Sequence, residues 1–169
     1  MHLIIDGYNL LHVHRSLTPL NSVQLQWERE HLIGQLSDYQ KLKPFGITVV
    51  FDGWQGGWST ETRESKKGIE IIFSKLGEKA DEVIKRLVKE RGSGAIVITS
   101  DRDVSRFAER MDVAVIPSEQ FREKLEVSSN RFEESLEEEE EEEKGIKRKG
   151  LSRRLSKKEQ RARTALRKL

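Results

Sequence analysis

Short apolar runs alternating with amphipathic ones set the pattern of residues 1 to about 127. His2-Leu3-Ile4-Ile5 reads as a strand broken by Asp6-Gly7, and Ile47-Thr48-Val49-Val50-Phe51 as a second, broken by Asp52-Gly53. Ile69-Glu70-Ile71-Ile72-Phe73, Ala95-Ile96-Val97-Ile98-Thr99 and Val113-Ala114-Val115-Ile116 supply three more. Between these runs the apolar spacing becomes helical. Residues 22–41 bring Leu32, Leu36 and Tyr39 to one face, and residues 79–91 turn Val83, Ile84, Leu87 and Val88 inward before Gly92 ends them. Residues 102–110 predict a further helix, and a last one, capped by Ser118, runs to about Leu125. Strands that are apolar throughout and separated by helices imply a parallel sheet covered on both faces. The expected fold is therefore α/β, a three-layer α/β/α sandwich.

Charge divides the rest of the chain. The net charge of +2 hides 19 basic and 19 acidic residues over 1–132, nine Glu and no base over 133–143, and 12 bases against Glu159 alone over 144–169. Glu137 to Glu143 are consecutive glutamates within a linker expected over 128–150, which has nothing to bury. Over 151–169, Ser156-Lys157-Lys158-Glu159 has capping-box spacing, and Ala162, Ala165, Leu166 and Leu169 make a thin apolar stripe opposite Lys157, Arg161, Arg163, Arg167 and Lys168. Cysteine is absent, which excludes disulfides, thiolate metal sites and a Cys nucleophile, and fits a reducing cytoplasm. No apolar run approaches the ~18 residues of a membrane span, and the apolar start is too short for a signal peptide. A soluble protein without membrane association is expected.

Where the acids fall carries the chemistry. In a parallel sheet the crevice beyond the carboxyl ends of the strands is the usual ligand site. Asp6, Asp52 and Asp101 follow the first, second and fourth strands on that edge, and neighbouring strands lie ~4.8 Å apart. Asp81 opens a helix at the edge of its inward stripe, and Asp103 follows Asp101 by two. Acids sharing a site repel one another, and a hard cation such as Mg²⁺ or Mn²⁺ resolves this with oxygen ligands and retained waters. Such an ion activates water for phosphodiester displacement. His2, His12, His14 and His31 form no zinc pattern. Each acid also has a plainer role: Asp-Gly pairs make turns, Asp101 suits a helix cap, and Asp81 complements a helix dipole.

The segment Ile5-Asp6-Gly7-Tyr8-Asn9-Leu10-Leu11 resembles the opening motif of the NYN domain, and in particular of the YacP-like proteins in the PIN-like nuclease superfamily. The similarity continues in Val49-Val50-Phe51-Asp52-Gly53, Lys79-Ala80-Asp81-Glu82-Val83-Ile84 and Ile98-Thr99-Ser100-Asp101-Arg102-Asp103, in order, over residues 1 to about 127. The resemblance implies a PIN-like fold with strand order 3-2-1-4-5 and an endoribonuclease dependent on Mg²⁺ or Mn²⁺. It implies metal ligation by Asp6, Asp81 and Asp101, help from Asp103, and an Asn9 that orients a water or the scissile phosphate. Asp52 and Ser100 would be additional members with a less fixed role.

Substrate contacts are sought beside the acids and in the tail. Trp54 and Trp58, in a Gly-rich loop after Asp52, are candidates to stack an unpaired base, worth ~1–3 kcal/mol, or to hold the loop on the sheet edge. Arg63, Lys66 and Lys67 are candidates for phosphate contact or for a solvated charge run. The basic tail with Arg161, Arg163 and Arg167 suits RNA through counterion release, whether the RNA is free or on the ribosome. Against the nuclease stands a non-catalytic RNA- or ribosome-binding protein whose acids are structural. Other Mg²⁺ phosphotransfer enzymes fit less well: Toprim folds want Glu on the first strand, and haloacid-dehalogenase phosphatases want a second acid after Asp6.

Overall fold

Each apolar run becomes a strand whose successive side chains feed opposite layers. The computed structural model describes residues 1–13, 21–43, 45–53 and 59–129. In chain order the elements are β1 (His2–Asp6), α1 (Gly7–His12), α2 (Ser22–Leu42), β2 (Gly46–Phe51), β3 (Thr62–Lys66), β4 (Ile69–Phe73), α3 (Ala80–Arg91), β5 (Ala95–Ile98), α4 (Arg102–Arg110) and β6 (Ala114–Ile116). A last helix, α5, covers 118–129. Leu3, Ile5, Val49, Phe51 and Ile71 pack with Leu32, Leu36, Phe121 and Leu125 in one buried cluster. Their neighbours Ile4, Val50, Ile72 and Val97 pack with Val83, Ile84, Leu87 and Val104 in the other. The period of two along each strand thus builds two cores, and the three-layer α/β/α class follows.

The sheet runs β3-β4-β2-β1-β5-β6. Its five parallel strands keep the order 3-2-1-4-5 expected from the resemblance, with β1 between β2 and β5. The difference is β3, which pairs antiparallel with β4 at the edge. Thr62-Arg63-Glu64-Ser65-Lys66 has no apolar alternation to announce a strand, and charged, exposed side chains are what an edge strand tolerates. Lys67 and Gly68, at φ 53° and 81°, close the two-residue hairpin loop that sets its register.

Two local expectations are corrected. Asp6-Gly7 does not make a simple turn: Gly7 opens α1, and the Asp6 carboxylate caps it by accepting from the Asn9 N–H. Ser118 does not cap α5. It is the first helical residue, Phe121 N bonds to the Pro117 carbonyl at 3.1 Å, and the Ser118 hydroxyl is used elsewhere. The linker expected from residue 128 cannot begin there, because residues 128 and 129 complete α5; its remainder, Trp54, Trp58, Arg161, Arg163, Arg167 and the basic helix expected over 151–169 lie outside the described residues. Among the described residues no helix is long and apolar enough to cross a membrane.

Candidate active site

Asp6, Asp52 and Asp101 end or follow β1, β2 and β5, which are neighbours, so all three emerge on the carboxyl edge of the sheet. Each has one oxygen drawn onto a helix start. Asp6 Oδ1 accepts from Asn9 N at 3.1 Å, Asp52 Oδ1 from Ala80 N at 2.7 Å, and Asp101 Oδ1 from Asp103 N and Val104 N at 2.8 and 2.9 Å. The N-termini of α1, α3 and α4 therefore converge here, and their partial positive charge favours anionic groups. Asp81 lies in the first turn of α3, on this same edge. Two glycines permit the approach: a Cβ on Gly7 would meet the Phe51 ring at 2.2 Å, and one on Gly53 would meet the Ser74 carbonyl at 1.8 Å.

The acids act on one another. Burial pushes the Asp6 carboxyl up to about 6, against the hydrogen bonds from Asn9 and Thr99, and the charges of Asp81 and Asp52 push the same way. Asp81 is raised by burial, then by Asp101 and Asp52, with Lys85 and Lys79 opposing. No ion pair to Asp6, Asp52, Asp81 or Asp101 occurs among the described residues. An all-carboxylate set with no ion-paired cation suits a hard divalent cation. It does not form a closed cage: among the described residues no three acids or histidines stand close enough to hold one ion. The donor set fits an open site, in which one or two carboxylates share the cation with waters and substrate phosphate, as Mg²⁺ commonly allows.

The remaining candidates divide. Asn9 Oδ1 accepts from Ser100 N at 2.8 Å and from Ser118 Oγ at 2.6 Å, so Asn9 ties the start of α1 to the ends of β5 and β6. Ser100 Oγ accepts from Ser118 N at 3.0 Å and donates to Glu119. Asp103 is exposed, and its carboxylate lies 2.6 Å from Lys85 Nζ, which holds its pKa down. Arg63 pairs with Glu61 and Glu70, and Lys66 with Glu30 at 2.9 Å. Lys67 is exposed, and its carbonyl accepts from Ser37 Oγ.

Three hydroxyls went unpredicted in these roles. Thr99, 1% exposed, donates to Asp6 Oδ2 at 3.2 Å and accepts from Asp101 N at 3.1 Å, linking two of the acids. Ser74 accepts from Gly53 N and donates to the Glu78 carbonyl, fixing the loop after Asp52. Ser118 holds Asn9. A hydroxyl ending an apolar strand just before an acid, as in Ile98-Thr99-Ser100-Asp101, is the signal that could have singled out Thr99.

Comparison with known proteins agrees with this architecture. The family model described as the YacP-like NYN domain matches residues 3–168, beyond the four motifs and through the Glu run. The uncharacterised protein YacP of Bacillus subtilis strain 168 is 31% identical over 102 residues, 59% of this chain and 59% of that protein's length. A crystal structure of Rae1 (YacP) from Bacillus subtilis superposes with a TM-score of 0.68 at 24% identity, covering 87% of this chain and 86% of that one. A tryptophan-to-leucine mutant of it gives a TM-score of 0.69 at 24% identity, over 84% and 86%. At that identity the structural likeness speaks for the fold.

Proposed function

Since the chain belongs to the YacP-like NYN domain family, whose relation is to nucleases, we propose that it is a divalent-metal-dependent endoribonuclease that hydrolyses RNA phosphodiester bonds. One observation carries the reading: Asp6, Asp52, Asp81 and Asp101 meet at one sheet edge, act on each other, and have no ion-paired cation among the described residues. One or two of Asp6, Asp81 and Asp101 would share Mg²⁺ or Mn²⁺ with waters and substrate phosphate, with Asp52 at the rim. When bound, that ion supplies an activated water and charge neutralisation at the phosphate. The rest falls to the chain itself. Thr99 holds Asp6 and the Asp101 backbone in register. Asn9, its oxygen committed to Ser100 and Ser118, would offer its Nδ2 donor to substrate oxygens. The three converging helix starts favour an anionic backbone. Free or ribosome-borne RNA is the partner class, reinforced by the basic C-terminal residues, and the lack of cysteine suits the cytoplasm.

The test compares the full chain with Asp101→Asn on single-stranded RNA in Mn²⁺ and in EDTA. Asn keeps the cap acceptor, so the fold survives. Cleavage should depend on Mn²⁺ and fall by more than the ~10–100-fold that loss of an outer partner of a metal costs. Undiminished cutting by Asp101→Asn would remove the assigned role. A second reading has its own support, because Asp6, Asp52 and Asp101 all serve as helix caps. If wild type binds RNA but neither cuts it nor gains stability from Mn²⁺, the protein is an RNA- or ribosome-binding module.

A further inference from the structure

Beside the acids lies a cleft of about 390 Å³, between α2 and the carboxyl ends of β2 and β4, with Asp52 as its shared wall. That size is typical of small-molecule sites, ~300–1,000 Å³. Phe51, Phe73, Ile33 and Ile71 supply its apolar surface. Arg29 is the informative residue. Its guanidinium carbon stands 5.5 Å from the Phe73 ring centre and 6.0 Å from that of Phe51. Nη2 donates to Gln26 Oε1 at 3.0 Å, and Nη1 reaches Tyr8 Oη at 3.5 Å. Among the described residues no carboxylate pairs with it. A planar cation is thus held over aromatic rings at the rim of the acid cluster, with donors to spare, since guanidinium carries five N–H groups.

We propose that this cleft is a subsite for one unpaired base of the RNA strand beside the cut, received by Arg29. The inference rests on the nuclease reading for the identity of the strand. The charge around the cleft selects a base over a phosphate. Asp52, Glu30 and Glu64 line it together with Arg29 and Lys66, and Lys66 is already paired with Glu30. An anion would meet more negative than positive charge, whereas a neutral, flat ring with carbonyl acceptors meets apolar walls and guanidinium donors. Stacking of this kind tolerates any base and fixes the strand relative to the adjoining acids.

The experiment is an amide-shift titration of the full chain in EDTA with uridine 5′-monophosphate, and with ribose 5-phosphate as the probe lacking a base. Uridine monophosphate should move Gly53, Ile71 and Phe73, while ribose 5-phosphate leaves them in place. Arg29→Met keeps an apolar stem over the rings and removes the donors, so it should weaken uridine monophosphate binding about tenfold at an unchanged melting temperature. Arg29→Lys keeps the charge without the planar fork, and should show an intermediate loss even if Arg29→Met fails to fold. Equal shifts with both probes, silence in the cleft, or wild-type affinity in both variants would overturn the subsite. No metal is present in the titration, so the subsite and RNA cleavage succeed or fail separately.

Discussion

The two ends of the same sheet treat charge in opposite ways. Where the strands begin, charged and polar groups are matched. The Thr48 hydroxyl bonds His2 Nε2 at 2.7 Å and Glu70 Oε2 at 2.6 Å, and Glu70 also lies 3.6 Å from Arg63 and 3.7 Å from Arg91. Burial and the nearby Arg91 lower the His2 pKa, with Glu70 opposing. Where the strands end, Asp6 is buried among like charges and held by hydrogen bonds alone. The matched end satisfies itself. The other end holds its acids by hydrogen bonds and helix starts, with no ion-paired cation among the described residues, which is what the proposed cation site would require.

That contrast breaks most directly at Asp6. Asp6→Asn keeps the cap on Asn9 N and removes the buried charge. RNA cleavage should fall by more than about a hundredfold, yet above pH 7 the metal-free variant should melt higher than wild type. It should also lose the stabilisation that Mn²⁺ gives wild type. Paired melting curves with Mn²⁺ and EDTA read all of this. Should Asp6→Asn destabilise the metal-free protein, Asp6 belongs with the matched charges and the comparison fails.

The pH dependence sharpens the same point. With its pKa near 6 when folded and 3.8 ordinarily, Asp6 binds its proton more tightly in the native state. Stability from this group is therefore present at low pH and is lost as pH rises from about 4 to about 6, by at most about 3 kcal/mol. Asp81 is shifted in the same direction. The difference in unfolding free energy between wild type and Asp6→Asn should trace that fall across pH 4–6.5, and a flat difference would show that Asp6 is not desolvated in solution.

At the matched end, Thr48→Val keeps the shape and deletes the hydroxyl that His2 and Glu70 share. It should lower stability by about 1–3 kcal/mol, the cost of leaving partly buried polar groups unpaired. Cleavage per folded molecule should stay at the wild-type rate. A variant equally stable but slower in cleavage would mean that the two ends are not separable.

What the sequence disclosed follows from what backbone pattern can carry. Asp6, Asp52 and Asp101 were legible because an acid ending an apolar run must emerge on the carboxyl edge once the run is a parallel strand. Asp81 was legible because its helix exposes only one side to that edge. The β3 strand was not, since Thr62-Arg63-Glu64-Ser65-Lys66 gains its structure from pairing with β4 and not from burial of its own side chains. Nor was Arg29, whose importance lies in the rings of Phe51 and Phe73, over 20 positions away, rather than in its helix neighbours. The hydroxyls of Thr99, Ser74 and Ser118 escaped for a similar reason: serines and threonines are common, and only the fold shows which of them bridge distant segments.

The smallest effect separates two acids that sequence treats almost alike. Asp101 and Asp103 share one motif, and the resemblance assigns both to the site, but Asp101 acts on Asp81 while Asp103 is exposed and bonded to Lys85. An exposed ion pair contributes little to stability, so Asp103→Asn should leave the melting temperature unchanged. If the Lys85 pair persists in the working enzyme, cleavage should drop less than about tenfold, far short of Asp101→Asn. A drop as deep as that of Asp101→Asn would mean that Asp103 leaves Lys85 to serve the substrate. Lys85→Met then decides between the two states: it frees Asp103, so it should raise the cleavage rate if the pair restrains a working acid, and leave the rate unchanged if Asp103 belongs to the surface.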